Sequence, residues 1–175
     1  MHTPLDHEFV RAAARAADRS AAPLAAGPDE EPAGVAHRGL ARRVKTLIAA
    51  YRSPDSALHG SGQAVAAAMT HLRALRATQT ATGLFAGGDN VQSPPDSAFT
   101  VNDVCDAHVL AVGAGPELSE VTAALADIAG AATASLLPPR FAELRTHVYE
   151  QIQAAKRGTL PVQDRLTKSD TPPLR

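Results

Sequence analysis

Within the stretch GLFAGGDNVQSPPDSAF, residues 83–99, five polar side chains are candidates for binding a substrate: Asp89, Asn90, Gln92, Asp96 and Ser97. Carboxylates, carboxamides and hydroxyls of this kind recognise sugars, because each presents hydrogen-bonding groups that can match neighbouring ring hydroxyls. Phe85 and Phe99 flank the cluster and would provide an apolar platform for a sugar ring. Both also fall at positions of helix contact, where core packing is the stronger expectation. Turn chemistry accounts for the polar residues in another way. Asp89–Asn90 suits a turn, and Asp96 or Ser97 suits the cap of a following helix. The cluster is a candidate substrate-binding loop in which no residue is assigned a catalytic role.

Other residues offer less. Asp103 and Asp106 lie three apart, so their carboxylates share a helix face and would hold a metal with His108 if another element supplied ligands. A solvated surface is the preferred reading, since such sites need converging ligands. Tyr51 and Tyr149 are of the type that moves a proton in a lyase, yet each falls on the apolar stripe of its helix and reads as core. Cys105, the single cysteine, also falls on an apolar stripe, where burial suppresses the thiolate. His59 belongs to a loop expected at the opposite end of the helices from residues 83–99. There is no Ser–His–Asp order, glycine-rich phosphate loop or paired zinc motif. No metal and no cofactor are therefore expected.

The elements that must position these residues are helices. A chain of 175 residues suffices for one domain with a core. Hydrophobic residues are 45% of it, but aromatics only 3% and Trp is absent, so alanine sets a thin core of closely approaching helices. The net charge of -1 gives no reason to expect nucleic acid or an anionic membrane as partner. No apolar run reaches membrane-spanning length and the start lacks the order of a secretory signal, so a cytoplasmic protein is expected.

Apolar spacing predicts helices over residues 4–20, about 36–52, 63–79, about 97–113, from 116 onward, and from Pro139 to about 156. The fourth helix reads with Val101, Val104, Cys105, His108 and Val112 inward, and the fifth with Leu118, Val121, Leu125, Ile128 and Ala132. Residues 21–35, with their prolines, glycines and acidic run, read as a linker within a single domain spanning 1–157. Residues 158–175 read as a flexible tail. The fold class is all-α, about six helices as successive antiparallel pairs.

Gln79, Gly83 and Phe85 follow one another at the end of the third helix. Glycine suits the left-handed stop, the aromatic folds back on the apolar stripe, and Gln79 is placed to reach freed backbone groups. This order resembles the helix-to-loop element of (α/α) toroids. Together with AAYRSPDSALHG and VQSPPDSAFTVNDV, it makes residues 38–130 similar to the N-terminal part of bacterial heparinase II/III-like proteins. The resemblance implies half of an (α/α) toroid and a carbohydrate-related protein, a truncated polysaccharide lyase or hydrolase homologue with an oligosaccharide as partner. The alternative is a non-catalytic helical module that binds a glycan or protein, self-associates, or is completed by a partner chain.

Overall fold

Alanine-rich segments with an apolar residue every three or four positions form helices whose packing is close because their side chains are short. The structure, a computed structural model, describes residues 7–27, 32–87 and 92–136. Among them are five helices: α1 (His7–Ala26), α2 (His37–Arg52), α3 (Gly62–Thr78), α4 (Pro94–Ala111) and α5 (Ser119–Leu136). Single 3₁₀ turns, Pro32–Gly34 and Pro116–Leu118, precede α2 and α5. No strand occurs among the described residues, and the protein is all-α. The helix expected to end near residue 156, with Tyr149, and the tail from 158 lie outside the described residues.

α1 runs through Pro23 to Ala26, into the stretch read as linker. The proline removes one N–H from the ladder, but Ala21 and Ala25 behind it are buried, and the helix continues. Linker character starts at Gly27, in the left-handed region at φ 125. α2 stops at Ser53, directly before Pro54, as the restriction on a residue preceding proline requires. α3 is capped by Ser61, whose hydroxyl accepts the Ala64 N–H.

α4 differs from its sequence reading in both start and face. Its cap is Ser93, not Asp96 or Ser97, and Pro94 and Pro95 open the helix where a missing N–H costs nothing. The buried stripe is Ser97, Thr100, Val104, Ala107 and Ala111. Cys105 is exposed, and Phe99 and Val112 are 60% and 54% exposed rather than core. α4 packs on both α2 and α5, so its two contact faces need small side chains, and hydropathy alone points to the wrong stripe. α5 follows its reading: Leu118, Val121, Leu125, Ile128 and Ala132 are all buried.

α2 packs most extensively on α3 and α4, α5 packs on α4, and α3 meets α5 less extensively. The four helices thus form a ring in the order α2, α3, α5, α4, with α1 laid against α2 and α3. The α3–α5 side is the least closed. The core inside the ring is built on Leu40, Leu47, Ile48, Leu72, Leu75, Phe85, Leu125 and Ile128.

Candidate functional site

After α3 the chain turns back on itself in a tight hairpin. Gln79 and Phe85 form an isolated antiparallel bridge. Thr80 N–H donates to Leu84 O at 2.8 Å, Gly83 N–H to Thr80 O at 2.9 Å, and Ala86 N–H to Thr78 O at 2.8 Å. The Gln79 amide joins this hairpin to α5, because Nε2 donates to Gly83 O at 2.8 Å and to Ile128 O at 3.0 Å. Its Oε1 accepts from the Arg76 guanidinium at 2.5 Å. Gly83 has φ 87, and a Cβ there would lie 2.1 Å from Ala131 O, so only glycine permits this approach to α5.

Phe85 is fully buried, and its backbone N–H donates to Ser97 Oγ at 3.1 Å. Its ring stacks on the His37 imidazole, centroids 5.4 Å apart. The Thr100 hydroxyl lies 3.2 Å from Asp96 O and 2.7 Å from His37 Nδ1, so it joins the imidazole to the first turn of α4. Burial pushes the His37 pKa down, the Asp96 carboxylate works against this, and Arg38 adds to it. The buried polar cluster of His37, Ser97 and Thr100 locks the hairpin to the starts of α2 and α4.

The sequence-predicted site residues therefore part company. Ser97 is fully buried and spends its oxygen on Phe85. Asp96, in the first turn of α4, lies 3.6 Å from the Arg38 guanidinium. The same guanidinium sits 4.7 Å from the centre of the exposed Phe99 ring. Gln92, exposed and with φ 53, is joined to the hairpin instead, accepting from Thr82 Oγ1 at 3.2 Å. Asp89 and Asn90 lie outside the described residues.

A groove of about 470 Å³ opens between the hairpin and α5. Arg76, Gln79, Thr80 and Thr82 line one side, and Ala131, Ala134 and Ser135 the other. The Thr80 and Thr82 hydroxyls are 2.8 Å apart, and the Ser135 hydroxyl donates to the Thr82 carbonyl. Sequence reasoning did not single out these hydroxyls. The Thr-x-Thr spacing at the hairpin tip is the one signal that places two of them together.

Asp103 and Asp106 neither face solvent alone nor gather a metal. Lys45 of α2 donates to the Asp103 carboxylate and to Asp106 Oδ2, the latter at 3.3 Å. The hydrogen bond to Asp103 raises the Lys45 pKa first of all, with burial opposing it and Asp106 reinforcing it. No group of three His, Cys, Asp or Glu positioned to hold a metal occurs among the described residues. Tyr51 is buried, and its carbonyl lies 3.1 Å from Nδ1 of the exposed His59. No described helix is long and apolar enough to cross a membrane. No family model matches the chain, and neither curated proteins nor solved structures give a match.

Proposed function

We propose that the chain is a non-catalytic helical module that binds a hydroxyl-rich ligand, an oligosaccharide, in the groove between the hairpin and α5. Its ancestry lies with the heparinase II/III-like toroids that residues 38–130 resemble. The observation that supports the reading is the lining of the groove. Three hydroxyls (Thr80, Thr82, Ser135) and the Arg76 guanidinium line one cavity, which the Gln79 carboxamide holds in shape, and Gln92 is joined to Thr82. Such groups donate and accept in the alternation that sugar hydroxyls need. Proton transfer in a lyase or hydrolase needs a titratable group within hydrogen-bonding reach of the ligand. His37 and His71 are buried in helix packing and Lys45 is tied to α4, so each has a structural position outside this groove.

The test is a thermal-shift titration of the full chain with neutral and uronate-containing oligosaccharides. A ligand at a hundred times its Kd adds about 2.7 kcal/mol to the folded state, so one glycan class is expected to raise the midpoint in a dose-dependent way. Thr82→Val and Gln92→Ala are expected to weaken that response without lowering the ligand-free midpoint by more than a degree or so, because both side chains are exposed. A cooperatively melting protein that ignores every glycan would remove the reading.

A further inference from the structure

A second cleft lies between α3 and α5, on the open side of the helix ring, with a volume of about 270 Å³. Leu72 and Ile128 form its buried floor, with Met69 and Ala124 half-buried beside them. Arg73 and Arg76 stand on the α3 rim and Asp127 on the α5 rim, all exposed. Arg76 is already engaged by Gln79. Arg73 and Asp127 line the same cleft, yet neither forms an ion pair or hydrogen bond among the described residues. Opposite charges are thus held apart across an apolar floor.

A ligand that satisfies this arrangement carries a carboxylate toward α3, a cationic amine toward α5 and an apolar group between them. We propose that the α3–α5 cleft binds a small apolar zwitterion, an α-amino acid with an aliphatic or aromatic side chain. A guanidinium holds a carboxylate in a planar two-point contact, and a carboxylate accepts from an ammonium. The side chain buries itself on Leu72, Ile128, Met69 and Ala124. Size supports the class, since sites for drug-sized ligands begin at about 300 Å³. The charged partners are exposed, so affinity is modest and each charge contributes little more than a fewfold gain. The two sites share only Arg76, and the charges that define this one, Arg73 and Asp127, do not line the hairpin groove.

Methionine methyl NMR on the full chain tests it directly, as the sequence contains only two methionines, Met1 and Met69. Titration with leucine is expected to shift the Met69 signal saturably. Glycine lacks the apolar group, 4-methylpentanoate the amine and isoamylamine the carboxylate, and each is expected to bind at least about threefold more weakly than leucine. Arg73→Ala and Asp127→Asn are each expected to weaken leucine by about threefold. Asp127→Asn should not weaken 4-methylpentanoate, and Arg73→Ala should not weaken isoamylamine. Equal binding of leucine and 4-methylpentanoate overturns the proposal, as does a Met69 signal that leucine never moves. A Met69 shift that follows protein concentration without ligand also overturns it, because a second copy then fills the cleft.

Discussion

Gly83 meets the backbone of α5 so closely that its lack of a side chain is a structural requirement. Gly83→Ala combines a clash against Ala131 O with a left-handed backbone, and is expected to cost about 3 kcal/mol in urea unfolding. The order Gln79, Gly83, Phe85 was legible in the sequence as a helix stop with an aromatic returning to the core. That Gln79 also donates to Ile128 was not, since nothing local names a carbonyl 49 residues away. His71 makes a different test. It is fully buried and its Nδ1 has no hydrogen-bond partner among the described residues. Burial lowers its pKa, with Arg43 adding to the shift, and burial likewise lowers that of His37. A histidine held neutral in the fold gains its proton first in the unfolded chain. Stability is therefore fully present above the ordinary value of 6.5 and is lost as pH falls through the lowered folded values. His71→Leu is expected to make that decline shallower in thermal melts from pH 8 to 5. At pH 7 it is expected to gain about 1 kcal/mol, because it removes an unsatisfied polar group.

At the scale of elements, α4 is the helix whose face the sequence concealed. Its apolar residues Phe99, Val109 and Val112 are exposed, while Ser97 and Thr100 are buried with partners from the hairpin and α2. A buried hydroxyl reads as polar surface until its partner is known. The Lys45 bridge to Asp103 and Asp106 then fixes α4 on α2. Lys45→Met leaves two carboxylates facing an apolar side chain and is expected to cost about 1 kcal/mol, a figure discounted for partial exposure. The loss should shrink in 1 M salt, where screening shortens to about 3 Å. Because the Lys45 pKa is raised, the bridge contributes fully below its ordinary value of 10.5 and is lost as pH rises past the folded value. α5 presents the opposite case. Its larger side chains lie on one seam and its outer face is small or polar, so periodicity alone located its buried side.

For the whole molecule, the ring of α2, α3, α5 and α4 supplies most of the core, and α1 adds chiefly Ala14, Ala21 and Ala25. Asp18 ties α1 to the segment after α2, accepting from the Ser56 hydroxyl and from Ala57 N–H at 2.9 Å. Asp18→Ala is expected to speed amide exchange in α1 by roughly tenfold while the ring helices keep their protection, because local opening follows local contact. Periodicity, proline placement and glycine stops located α2, α3 and α5 and established that the fold is all-α, since those signals act between residues a few positions apart. Only the tertiary structure decided that Ser97 turns inward, that Gln92 and Thr82 meet, and that Arg73 and Asp127 line one cleft without a partner among the described residues. Those outcomes depend on which helix faces meet and at what height, and that follows from the packing of side chains far apart in the chain.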